Sequence, residues 1–115
     1  MHEMGITEGI LAAAAEVAQR EGASRITEIH VTVGDLTDIV PDSLQFAFEV
    51  LREDTLAADA VLIVERLGAR SKCGECGEEF EHGRFEATCP ACGNFLCELV
   101  QGRELRVDSI DIDTD

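Results

Sequence analysis

Two short motifs limit what this chain can become more than any other feature: Cys73-Gly-Glu-Cys76-Gly77 and, after a twelve-residue spacer, Cys89-Pro-Ala-Cys92-Gly93. Each C-x-x-C brings two sulfurs onto one tight turn, and the glycine behind it can adopt the positive φ such a turn requires. Backbone N–H groups in the turn then point at sulfur and favour the thiolate. Two such turns give four thiolates, the tetrahedral set that zinc takes in a closed structural site. Residues 68–95 contain five Gly, four Cys and few aliphatics. A lobe that short needs a metal or disulfides to fold. Metal binding in such lobes is worth about 10–16 kcal/mol at neutral pH, so the ion is part of the fold. Four ligands leave no open position for Lewis-acid catalysis. A rubredoxin-like iron centre is disfavoured by the scarcity of aromatics around the knuckles. A dithiol redox centre is disfavoured because neither pair opens a helix in a βαβ unit. Cys97 reads as a small packed hydrophobe at the lobe's edge. His82 lies between the pairs, and its replacing a thiolate is the disfavoured alternative to the four-cysteine set.

The flanking sequence reads as ordinary α+β structure. Ile10, Leu11, Ala14, Val17 and Ala18 recur at helical spacing, which predicts a helix over 5–21 closed by Gly22. RITEIHVTVG (25–34) alternates, with Ile29, Val31 and Val33 on one face and Glu28, His30 and Thr32 on the other, as in a half-buried strand. Pro41 and Asp42 suit the first turn of a second helix carrying Leu44, Ala47, Phe48 and Leu51. AVLIVERL (60–67) reads as a strand apolar enough on both sides to be central, and ELVQGRELRVDSIDI (98–112) as one closing strand beside the first two. The expected fold is therefore α+β: two helices packed on a small three-stranded sheet, with an inserted zinc-ribbon lobe. The expected domains are 1–67 with 98–115, discontinuous, and 68–97 for the ribbon.

Charge narrows the function. The formal net charge is −15, and nine basic residues are scattered without forming a stripe. Such a surface repels phosphates and anionic membrane faces, so neither nucleic acid nor membrane is an expected partner. It does concentrate cations. Residues 1–20 carry Glu3, Glu8 and Glu16 and lack a basic start with a continuous apolar stretch, unlike a signal peptide. A cytoplasmic location with reduced cysteines is expected.

One of the three histidines stands at position 2. With Met1 untrimmed, the terminal amine, the His2 amide and the His2 imidazole put three nitrogens in a row. Together they can close a chelate around one divalent ion, and Glu3 offers a further donor. A planar set with a deprotonated amide suits Ni(II) or Cu(II) and suits zinc poorly. The α-amino group becomes available near neutral pH. His30 is another candidate ligand, although a histidine on the polar face of a strand is usually just solvated.

Taken together, these features resemble the HypA/HybF family of hydrogenase nickel-incorporation proteins. The carriers are the MHEM start, the helix directly after it, VGDLTDIVPDSLQFAFEVL (33–51) against the family's Val-Gly-x-Leu…Pro-x-x-Leu-x-x-Ala-Phe stretch, and the paired cysteine motifs followed by a closing strand. The resemblance implies a nickel metallochaperone with a structural zinc lobe. It implies His2 as a ligand of the Ni(2+) cargo, and Cys73, Cys76, Cys89 and Cys92 as ligands of Zn(2+). It also implies delivery to the nickel–iron hydrogenase large subunit together with a hydrogenase maturation GTPase. Some members carry a histidine just after a C-x-x-C. Here glycine follows both pairs, so no pH-sensing or switching role of such a histidine is carried over. A partner is expected to meet the end of the first helix and the loop at 34–43, where Asp35, Asp38 and Asp42 either donate to nickel or solvate the loop. The chain is expected to be no enzyme, and a monomer or weak homodimer. The alternative is a zinc-ribbon interaction module of the transcription or RNA machinery, against which the charge argues. A thiol oxidoreductase finds no acid–base pair, nucleophile motif or phosphate loop to support it.

Overall fold

The computed structural model of the chain describes residues 3–114. In chain order the elements are α1 (Glu3–Arg20), β1 (Arg25–Gly34), α2 (Pro41–Leu51), β2 (Val61–Leu67), β3 (Ala69–Cys73), β4 (Glu79–His82), β5 (Cys97–Gln101) and β6 (Leu105–Asp113). The result is an α+β fold with two helices and two three-stranded sheets, ordered β2-β1-β6 and β4-β3-β5. Residues cluster into two compact units, one of Met1–Val31, Ile39–Glu65 and Arg106–Asp115, the other of Thr32–Asp38 and Arg66–Leu105.

In the first unit, α1 buries Ile10, Ala14 and Ala18 of the predicted stripe, while Val17 is 39% exposed. It ends as its sequence requires. Gly22 takes φ +69°, Ala23 N–H donates to Ala18 O at 2.9 Å and Gly22 N–H to Gln19 O at 3.2 Å. These two bonds satisfy carbonyls of the last turn. Pro41 opens α2, whose buried face is Leu44, Ala47 and Phe48. The two helices pack on each other. Gln45 Nε2 donates to Leu62 O at 2.8 Å and Arg52 Nη1 to Ala60 O at 2.6 Å, which ties α2 to β2 and the residue before it. Ile26, Ile29, Val31 and Leu62 are nearly or fully buried, so the core is aliphatic with Phe48 as its aromatic member.

Two strand readings are corrected. The central strand is β1, not β2. The run 60–64 looked two-sided because it is apolar throughout, yet Val61 is 57% and Ile63 39% exposed, so only one face of β2 is covered. The closing segment is two strands. Residues 97–101 pair with β3 and only 105–113 join β1. The break falls at Gly102, whose φ of +133° is open only to glycine without strain.

In the second unit, β3 is central and antiparallel to both neighbours, with Ser71 opposite Phe80 and Cys73 opposite Cys97. Around the cysteines its apolar cluster is small: Cys73, Phe80 and Cys89, with Cys97 packed against them.

Candidate metal sites

The two knuckles have the same backbone. Cys73 N–H donates to Glu78 O at 2.9 Å while Gly77 N–H returns to Cys73 O at 3.1 Å; Cys89 N–H donates to Asn94 O at 2.8 Å while Gly93 N–H returns to Cys89 O at 2.9 Å. Gly77 and Gly93 adopt φ +77° and +78°, the left-handed turn that the glycine behind each cysteine pair anticipated. β3 delivers Cys73 at its last residue.

The knuckles face each other. Cys73 Sγ lies 3.5 Å from Cys92 Sγ and Cys76 Sγ 3.6 Å from Cys89 Sγ. All four sulfurs lie within 4.8 Å of one another. A tetrahedron with bonds of about 2.3 Å to zinc has edges of about 3.8 Å. The cluster is therefore already near the size of a zinc–tetrathiolate set, and its soft donors suit that ion.

Electrostatics point the same way. Cys73 is held down to about 6, first by the Cys76 N–H and, against the opposing effect of burial, by the Glu75 N–H and the Asn94 amide. The Glu75 N–H stands 3.4 Å from its sulfur and Asn94 Nδ2 3.6 Å. Cys92 also accepts an N–H, from Asn94, which pulls its thiol down. The sulfur of Cys73, burial, and the sulfurs of Cys89 and Cys76 outweigh that bond and push the thiol up to about 12. Cys76 has the Glu78 N–H acting downward and is likewise raised by the Cys89 sulfur and burial. One thiolate forms readily and its neighbours then resist a second negative charge. A divalent cation removes that conflict.

The other two candidates in this unit are outside the cluster. Cys97 Sγ–H donates to Asn94 O at 3.4 Å, and burial, then Cys73, pushes its thiol up. His82 Nδ1–H donates to Gly83 O at 2.6 Å, which leaves Nε2 to accept from the Ser71 hydroxyl at 2.7 Å. With both ring nitrogens occupied and its ring 5.6 Å from Phe80, His82 supports the lobe and does not replace a thiolate.

His2 lies outside the described residues. Glu3 is 6% exposed, and its Oε2 accepts the Val40 N–H at 3.3 Å. Val40 is the N-cap residue of α2 and has no side-chain cap of its own. The carboxylate that sequence offered as a further nickel donor thus sits at a helix terminus. The loop aspartates divide. Asp35 pairs with Arg66 at 2.9 Å, Asp38 with Arg84 at 3.6 Å, and Asp42 lines a shallow cleft with Glu3, Met4, Ser43, Phe46 and Ala47.

His30 has two acidic neighbours. Its Nε2 stands 3.0 Å from Glu28 Oε1 and 3.4 Å from Asp111 Oδ2. Glu28, two residues earlier on the same strand, was visible in the alternation; Asp111, 81 residues away, was not.

The family model matching residues 1–112 is described as "Hydrogenase/urease nickel incorporation, metallochaperone, hypA". A hydrogenase maturation factor HypA of Geobacter metallireducens is 37% identical over 114 residues, covering 98% of this chain and 100% of the relative. One from Chlorobaculum parvum is 40% identical over 113 residues, with coverage of 98% and 100%. Among solved structures, the solution structure of the Ni metallochaperone HypA from Helicobacter pylori superposes with a TM-score of 0.70 at 25% identity, covering all of both chains.

Proposed function

The chain belongs to the HypA family of hydrogenase and urease nickel-incorporation metallochaperones, and from that premise we propose that it carries Ni(II) at its amino terminus to a nickel–iron hydrogenase. The cargo ligands are the Met1 amine and the amide and imidazole nitrogens of His2. Cys73, Cys76, Cys89 and Cys92 hold zinc, which gives their lobe its fold and takes no part in transfer. The two ions are kept apart by donor chemistry: nitrogen for the cargo, sulfur for the resident ion. A chelate built on a chain terminus has few neighbouring groups to fix it. That arrangement suits a carrier, since ligands of the acceptor can replace the nitrogens one at a time. The acceptor is the hydrogenase large subunit, and a maturation GTPase assists. The protein performs no bond-making chemistry of its own and works in the cytoplasm, without nucleic acid or membrane. Among the described residues no helix is long and apolar enough to cross a membrane.

The observation that carries this reading is the match to a nickel-incorporation family across residues 1–112, from the first residue through both cysteine pairs. The test is a Ni(II) titration of tag-free, zinc-loaded protein beside His2→Ala and a variant with one residue added before Met1. Both changes should weaken nickel binding at least about tenfold, as loss of a supporting group already does at metal sites, with zinc unchanged. Unaltered affinity in the extended variant would remove the free amine from the site.

A further inference from the structure

We propose that Glu28, His30 and Asp111 form a second, labile site for a divalent first-row transition ion on the face shared by β1 and β6, built from donors that neither the terminal chelate nor the sulfur cluster uses. The three donor atoms, Glu28 Oε1, His30 Nε2 and Asp111 Oδ2, lie within 4.8 Å of one another. The imidazole nitrogen is 3.0 Å from one oxygen and 3.4 Å from the other. With bonds of about 2.1 Å, neighbouring donors stand about 3.0 Å apart in an octahedron and about 3.4 Å apart in a tetrahedron. The two nitrogen–oxygen spacings fall in the range expected of donors that share one ion, and the two carboxylate oxygens lie within 4.8 Å of each other.

The charge is unbalanced in the same sense. Elsewhere on these strands arginines answer the carboxylates: Arg25 pairs with Asp113 at 2.6 Å and Arg106 with Asp108 at 2.8 Å. Among the described residues neither Glu28 nor Asp111 has a lysine or arginine partner; each ion-pairs with His30 alone. Both carboxylate oxygens converge on the same imidazole nitrogen, so an ion bound there would meet one nitrogen and two oxygens at once. One borderline nitrogen and two hard oxygens suit nickel, cobalt, zinc or manganese and not copper(I).

The scaffold favours a preformed site. All three residues are on paired strands, and the Thr27 hydroxyl fixes the Asp111 carbonyl at 3.1 Å. Side chains on regular elements are held more closely than side chains on loops. The groups are also reachable: their side chains are 34% (His30), 41% (Glu28) and 58% (Asp111) exposed. Water therefore completes the coordination shell and the ion exchanges freely, which makes the site a holding place and not a structural one. Among the described residues, the charged groups within ion-pair distance of the imidazole are Glu28 from its own strand and Asp111 from β6.

The experiment uses full-length, zinc-loaded protein carrying His2→Ala, so that the terminal chelate is out of play, titrated with Ni(II) alone. Calorimetry should find one residual equivalent of nickel. His30→Asn should weaken it at least about tenfold, with smaller losses in Glu28→Gln and Asp111→Asn, by the loss of a direct ligand. Paramagnetic broadening should centre on the amides of residues 28–30 and 110–112. All three substitutions are on the surface, and constant zinc content reports the intact lobe. No residual equivalent, or residual binding that His30→Asn leaves unchanged, overturns the proposal and reduces the cluster to polar contacts between exposed side chains. If His2→Ala instead keeps all the nickel of the wild type, the terminal reading fails, and the His30→Asn comparison still decides this one.

Discussion

The Glu3 carboxylate offers a sharp test, because its position gives it a structural task that can be priced separately from nickel. It is 6% exposed and accepts the Val40 N–H at 3.3 Å, where α2 starts without a side-chain cap. A hydrogen bond to a charged group contributes about 1.5–3 kcal/mol, and the length of this one places it at about 1.5–2. A negative charge at the positive end of a helix adds about 0.3–1 kcal/mol. Glu3→Ala should therefore cost about 2–3 kcal/mol, or roughly 8–12 °C in Tm at about 4 °C per kcal/mol for a domain of this size. Glu3→Gln keeps an oxygen acceptor and loses the charge, so it should cost about 1 kcal/mol, since neutral hydrogen bonds have about half the strength of charge-assisted ones. The assay is thermal unfolding of the zinc-loaded proteins followed by circular dichroism at 222 nm, with nickel affinity measured on the same samples. Because the carboxylate is engaged with Val40, Glu3→Gln should bind nickel like wild type. A Glu3→Ala variant melting within about 2 °C of wild type would refute the capping argument, at a sensitivity well inside the shift expected from these terms.

Two further outcomes follow from the second unit. Stripping zinc with a chelator should collapse the NMR dispersion of residues 69–101 while the helical signal at 222 nm persists, because the apolar cluster of Cys73, Phe80, Cys89 and Cys97 is too small to hold the knuckles without the ion; native chemical shifts in the stripped lobe would refute this. Gly34→Ala should destabilise by about 3–5 kcal/mol in thermal unfolding, from overpacking plus lost hydrogen bonds. Its Cβ would overlap the Gly102 carbonyl and come 2.6 Å from Arg103 N. That would force apart the segment in which Gly34 N–H meets Glu104 O at 2.8 Å and Leu36 N–H meets Gly102 O at 2.8 Å. A cost below about 1 kcal/mol would show that this link yields freely, since overpacking strain then falls under its usual range.

The chain's local chemistry was legible residue by residue. Helix periodicity with Gly22 behind it, Pro41 at the start of α2, the bounds of β1 and the positive φ of Gly77 and Gly93 all follow from steric preference and spacing within a few residues. So does the pairing of two sulfurs on each knuckle. What the sequence could not supply was the company each segment keeps across the chain. A continuous apolar run placed β2 at the centre of its sheet, yet strand order depends on which edges meet, and β1 took that place with β6 beside it. The break at Gly102, the bond from Val40 to Glu3 and the convergence of Asp111 on His30 bring together groups far apart in sequence. Periodicity tells a residue which face it occupies; only closure of the sheet, which sets register over tens of residues, tells it what it faces.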